Sequence, residues 1–136
     1  MSLVAANVGE LLLLEWALKS TSAPENLTLK LFKNDYTPVA GSVAGNFTEA
    51  NFTDYVAKTL SRASWGAPAI VGGKAETQYA QQSWTCGTTG NDIYGYYIVG
   101  ATSGTLIWAE RFAAMRPLAE NDVLNLVPLL TLNSEA

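Results

Sequence analysis

Asp92-Ile-Tyr-Gly-Tyr-Tyr-Ile-Val-Gly-Ala-Thr-Ser-Gly-Thr-Leu-Ile-Trp-Ala-Glu-Arg-Phe112 contains two runs rich in β-branched and aromatic residues, joined by Gly100-Ala-Thr-Ser-Gly104. No helical spacing fits this stretch. Side chains of this kind suit a pleated, half-buried surface, and glycine supplies the backbone freedom a turn needs. Two hairpin strands are therefore expected, at about Ile93 to Val99 and Leu106 to Phe112.

The same pattern extends in both directions. Leu27, Leu29 and Leu31 alternate with Thr28 and Lys30, the period of a half-buried strand that closes at Asn34-Asp35. Tyr55 to Leu60 reads as a second strand. Trp65-Gly-Ala-Pro68 with Gly72-Gly73 reads as an irregular crossing, and Lys74 to Thr85 as one strand with a polar face. After the turn Glu120-Asn121-Asp122, the run Val123 to Leu132 places Leu124, Leu126, Leu130 and Leu132 on one face. Pro128 interrupts it, and because proline lacks a ladder donor this strand is expected at an edge or with a bulge. The long stretch Tyr36 to Asp54 carries Pro38, Gly41 and Gly45 and reads as a loop, with Phe47 and Phe52 as its anchors in the core or as part of a binding edge.

Only the N-terminal segment departs from β patterning. Val4, Val8, Leu11, Leu12, Trp16 and Leu18 recur near helical spacing, so one helix is expected over about residues 3–19. Asn7 and Glu10 form a candidate capping box, which would start the helix near Val8. The expected architecture is mainly β: a single domain over residues 1–136, an antiparallel β-sandwich of six to eight strands with one N-terminal α-helix. Short amphipathic strands hide their apolar faces only against a second sheet or inside a closed barrel, and a small barrel is the competing arrangement.

Composition narrows the functions. The 136 residues suffice for one core, and charged residues make up only 15% against roughly 25% in average soluble proteins, which leaves apolar surface for a partner. A net charge of −4 with eight scattered Lys and Arg residues offers no basic footprint for nucleic acid. The run Leu11 to Leu14 is bracketed by Glu10 and Glu15 without a basic segment before it, so neither a signal peptide nor a membrane span is expected, and the chain reads as cytosolic where it is made. The three Asn-X-Thr sites read as turn and strand residues rather than glycosylation sites.

Chemistry finds few candidates. With no histidine and a single cysteine, Cys86, the chain has no imidazole base for a Ser or Cys nucleophile, no thiolate-imidazole zinc set and no internal disulfide. Glu110 with Asp92 or Asp122 is the one carboxylate pair worth naming for glycoside hydrolysis. Pairing of Glu110 with a neighbouring Arg or Lys, or a place capping a sheet edge, is the simpler account. Asn34-Asp35 and Asn91-Asp92 could supply calcium oxygens, but turn chemistry explains them better. No catalytic residue, cofactor or metal is expected. The aromatic residues Trp65, Trp84, Tyr94, Tyr96, Tyr97 and Trp108 are weighed as core or interface residues against a sugar-stacking surface.

Leu31-Phe-Lys-Asn-Asp-Tyr-Thr-Pro38, Phe47-Thr-Glu-Ala-Asn-Phe52, Tyr94-Gly-Tyr-Tyr-Ile98, Leu106-Ile-Trp-Ala-Glu-Arg-Phe112 and Asn121-Asp-Val-Leu-Asn-Leu-Val-Pro-Leu-Leu-Thr-Leu132 together resemble small structural proteins of tailed bacteriophages. Within that group the chain is most similar to capsid decoration, or cement, proteins. The resemblance implies a non-enzymatic virion protein on the capsid surface, with the major capsid protein as partner and a homo-oligomer, trimer or dimer, as its working form. The alternative is a minor tail or fibre component with a receptor- or glycan-binding sandwich. Candidate interface residues are Leu11, Leu12 and Trp16 of the helix and Phe47 and Phe52 of the long loop.

Overall fold

The computed structural model describes residues 3–19 and 23–132. The chain runs through β1 (Leu3–Ala5), α1 (Asn7–Leu14) with a π-helical turn (Glu15–Lys19), β2 (Leu27–Phe32), β3 (Lys58–Leu60), β4 (Ala69–Val71) and β5 (Lys74–Gln78). It continues through β6 (Gln82–Thr85), β7 (Asp92–Gly100), β8 (Leu106–Pro117), β9 (Val123–Leu126) and β10 (Leu129–Leu132). All strand pairs are antiparallel. They form a five-stranded sheet in the order β1-β8-β7-β2-β3, a three-stranded sheet β10-β5-β4 and a two-stranded sheet β6-β9.

The hairpin β7–β8 is the spine of the large sheet. Its turn closes with Gly100 N donating to Thr105 O, and Gly104 takes the left-handed φ of 69° that glycine tolerates without strain. Glu25, from the segment before β2, clamps the tip: one carboxylate oxygen accepts from Thr102 N, Ser103 N and Ser103 Oγ. A β-bulge at Ile107 interrupts the ladder, since Ile98 opposes Trp108 while Val99 opposes Leu106. Ile107 and Trp108 therefore both join the main core cluster.

Both faces of this sheet are covered. Leu27, Leu29, Leu31, Ile98 and Trp108 pack with Trp84, Leu124 and Leu130 of the smaller sheets in the main core. Phe32, Tyr97, Val99 and Leu106 form a second cluster with Phe47 of the long loop. The loop is pinned by its own polar atoms: Asn34 Oδ1 accepts from Thr48 N, its Nδ2 donates to Asn46 O, and Ser42 Oγ accepts from Val39 N. Asn34 thus serves the turn chemistry expected of it.

Ten strands stand among the described residues where six to eight were expected; a hairpin, two divided runs and the added β1 account for the difference. Gly72 and Gly73 have φ of 58° and 81°, so the expected crossing is a tight hairpin between β4 and β5. Lys74 to Thr85 and Val123 to Leu132 each divide in two, at the same place in space. β5 pairs with β10 and β6 with β9, and between them Tyr79 N donates to Pro128 O. Pro128 cannot extend the ladder, so both strands bend there and pass from one sheet to the other. The expected strand Tyr55 to Leu60 shortens to β3 because Asp54, at φ 71°, turns the chain and Tyr55 is spent on side-chain contacts.

The helix also starts later than residue 3. Leu3–Ala5 adds to the edge of β8, with Leu3 opposite Glu110 and Ala5 opposite Trp108. The N-cap is Ala6, with no side-chain cap, so the Asn7-Glu10 capping box does not form. Tertiary bonds take its place: Ala6 N donates to Ile107 O and Asn7 N to Ala40 O.

Gly9 sits where α1 meets β8. A Cβ there would lie 2.5 Å from the Ile107 Cα, a backbone atom that cannot swing aside. Gly9→Ala is expected to lift the helix and cost roughly 1–3 kcal/mol, as overpacking does. Amide hydrogen exchange would speed up over Asn7–Leu14 while β7 stays protected. Unchanged helix protection would show that the contact is loose.

Candidate functional site

The residues weighed for chemistry are not brought together. Glu110 accepts a hydrogen bond from Tyr96 Oη at 2.8 Å, so its partner is a tyrosine rather than a lysine or arginine. Asp92 heads β7, and Asp122 accepts from Ala119 N to close the turn before β9. Cys86 is buried, donates weakly toward Gly87 O and Thr89 O, and has its thiol pushed up by desolvation and the nearby carboxylates of Asp122, Asp54 and Glu120. A thiol held protonated in this way is a poor nucleophile. Among the described residues no group of three acidic or thiol side chains could hold a metal ion. None of the described helices is long and apolar enough to cross a membrane.

The aromatic residues divide in two. Trp84, Tyr96 and Tyr97 are buried, and Trp84 Nε1 donates to Val56 O at 2.8 Å. Tyr55 Oη donates to Glu49 and accepts from Leu31 N, while Tyr79 Oη accepts from Ser61 N. These rings fill the core and tie loops to strands with their polar tips. Tyr94 lies under the Arg111 guanidinium, which also pairs with Asp35. A flat array of exposed rings is therefore not what the tyrosines form.

Trp16, Trp65 and Trp108 meet elsewhere. They line a cleft of about 320 Å³ whose apolar walls also include Leu13 of α1, Leu27 of β2 and Leu130 and Leu132 of β10. Glu25, Arg62 and Glu76 are its charged lining residues. Trp65 packs edge-on against Tyr79, with ring centroids 5.2 Å apart. The indole N–H groups of Trp16 and Trp108 are buried without a hydrogen-bond partner among the described residues, so along this wall polar satisfaction is incomplete, at a cost of about 1–3 kcal/mol for each orphaned donor.

Beside the cleft stands an apolar ridge. The inner face of α1 and its π-helical turn is Gly9, Leu12, Leu13 and Trp16, the spacing of a stripe laid on the sheet. Its outer side carries Leu11, Leu14 and Leu18, exposed by 64%, 56% and 75%. Separate from the helix, Ile70 and Val71 of the edge strand β4 are exposed by 73% and 52%.

Of the five candidate interface residues, Leu11 lies on the outer ridge, while Leu12 and Trp16 are half-buried on the inner side of the helix. Phe47 and Phe52 are buried and do not form a surface. Phe47 stacks on Tyr97 at 4.6 Å and meets Phe32 edge-on, and Phe52 packs against Tyr55. The physical reason is that Phe32 and Tyr97 stand on the face of β2 and β7 turned away from the smaller sheets, and Phe47 is the loop aromatic that covers them. Phe52 joins the main core instead. Leu14, Ile70 and Val71 are exposed as well and were not among the sequence candidates. A signal existed for the first, since four consecutive leucines at Leu11 to Leu14 make a helix apolar on both sides.

Compared with protein-family models and with curated proteins, the chain matches none.

Proposed function

We propose that this protein is a non-enzymatic structural component of a tailed-phage virion, one that decorates the capsid and stabilises it by bridging neighbouring coat subunits. The observation that carries the reading is the presence of large exposed apolar side chains on two separate rigid elements, the ridge of α1 and the edge strand β4. A bridge needs at least two attachment surfaces, and large apolar side chains exposed on separate elements can supply them. The phage resemblance of the strand and turn motifs supplies the setting, with the major capsid protein as partner and the capsid surface as location.

Bridging makes modest contacts sufficient. Once one surface is held, the second binds at an effective concentration set by geometry, and the two affinities multiply. Rigidity matters because a hinged bridge would not transmit load, and here the helix is seated on β8 by a backbone contact at Gly9.

The test is quantitative. Purified virions are expected to hold this protein at a copy number comparable with that of the coat protein, and particles lacking it should release DNA at a lower temperature. Replacing Ile70 and Val71 by Ser is expected to leave the fold intact and reduce the copy number. A handful of copies per particle, with unchanged heat release, would point to the tail or fibre alternative.

A further inference from the structure

We infer that the ridge of α1 seats in the tryptophan-lined cleft of a second copy of this chain, reciprocally, so that two copies close into a two-fold dimer. Ridge and cleft are neighbours because one helix supplies both: Leu14 and Leu18 project from its outer side, while Leu13 and Trp16 form a wall of the cleft. Two complementary features side by side on one molecule are what a two-fold axis needs, since each copy then offers its ridge where the other offers its cleft. The contact closes on itself instead of propagating.

Chemistry matches on both sides. The cleft is walled mainly by apolar side chains, and at about 320 Å³ it has room for leucine side chains. The charges can also be matched: the ridge carries Glu15 and Lys19 one helical turn apart, and the cleft carries Arg62 and Glu76 beside Glu25, one of whose oxygens is already taken up by the hairpin tip. None of Glu15, Lys19, Arg62 and Glu76 has an ion-pair partner among the described residues, whose two salt bridges are Lys30–Glu49 and Arg111–Asp35. Seating the ridge pairs opposite charges across the contact, Glu15 with Arg62 and Lys19 with Glu76. Such pairs set register and exclude wrong partners more than they add affinity. Two reciprocal seatings double the apolar surface covered, toward the roughly 800 Å² per partner that stable interfaces bury.

The inference rests on the assembly reading and assigns its surfaces more closely: the ridge is taken by the second copy, and the two β4 edges of the dimer become the pair of coat attachments that bridging needs. Its test needs only purified protein, so its failure and the failure of the virion reading are separate results. Leu14→Glu with Leu18→Glu destroys the ridge, and Leu132→Glu blocks the cleft. All three positions are more than half exposed, so the variants are expected to fold, which circular dichroism checks. By sedimentation velocity the wild type is expected as a dimer and each variant alone as a monomer. An equimolar mixture should recover a heterodimer, because one intact ridge still meets one intact cleft, with a Kd at least about tenfold above the wild type. Leu18→Cys in one copy and Leu132→Cys in another should then form an intermolecular disulfide, the native Cys86 being buried. A wild type that stays monomeric at virion-like concentration overturns the inference, as does a trimer mass. A mixture of the two variants that stays monomeric overturns ridge-into-cleft seating as well.

Discussion

Phe32→Ala is expected to lower stability by about 3–5 kcal/mol, the range for removing a buried phenylalanine. Phe32 is fully buried at the end of β2 and meets Phe47 edge-on at 4.9 Å and Tyr97 at 6.4 Å. Its ring lies over Gly95 of β7, where a Cβ would come within 2.7 Å of it, so a strand residue without a side chain makes its seat. Truncation leaves a cavity between a sheet and a loop, and the polar bonds that pin the loop, Asn34 to Thr48 and Asn46 and Ser42 to Val39, keep it from collapsing into the space. Against a total of roughly 5–15 kcal/mol for a domain, this loss is a large share. Urea and thermal midpoints measure it, and a melting temperature lower by on the order of 10 °C or more is expected. A loss below about 1 kcal/mol would show that the second core cluster is ornamental to the fold.

Alkali is expected to unfold the protein in a single cooperative step. Tyr97 is pushed up to about 12 by burial, with the Glu49 carboxylate adding to the effect. Burial also raises Tyr55 and Tyr96 well above the ordinary tyrosine value of 10.0. Glu49 adds to the shift at Tyr55 and Glu110 at Tyr96, while the Leu31 N–H opposes it at Tyr55. A folded-state pKa above the unfolded one means that, past about pH 10, the unfolded chain has released protons that the folded chain keeps. Stability is therefore full below about pH 10 and falls as pH rises toward and through about 12. Tyr97 alone accounts for roughly 1–2 kcal/mol by about pH 12 once solvent screening near its hydroxyl is allowed for, with Tyr55 and Tyr96 adding losses of the same sign. Tyrosinate absorbance should lag for these three and then rise together with loss of structure. If Tyr55, Tyr96 and Tyr97 titrate near pH 10 while the fold persists, the burial of these hydroxyls is not what holds the core.

Wherever a property depended on neighbours in the chain, residue order alone determined it. β2 occupies Leu27–Phe32 as its alternation requires, the β7–β8 hairpin turns at Gly104 as its glycines allow, and the turn at Asn121 adopts the left-handed φ that asparagine tolerates. Composition likewise left the chain without an imidazole or a second thiol, whatever its fold. Legibility stopped where a residue's choice was made by a distant partner. Leu3–Ala5 fits a helical pattern but becomes a strand because the edge of β8 lies open beside it. Pro128 announces an interruption, yet only its meeting with Tyr79 shows that two strands change sheets together. Phe47 reads as an anchor or as a binding edge until Phe32 and Tyr97 turn out to need cover. Alternation and turn chemistry are local energies carried by adjacent residues. Which apolar face is buried and which is left for a partner is settled by long-range packing, and so Leu12 and Leu14, two residues apart in one leucine run, point to different environments.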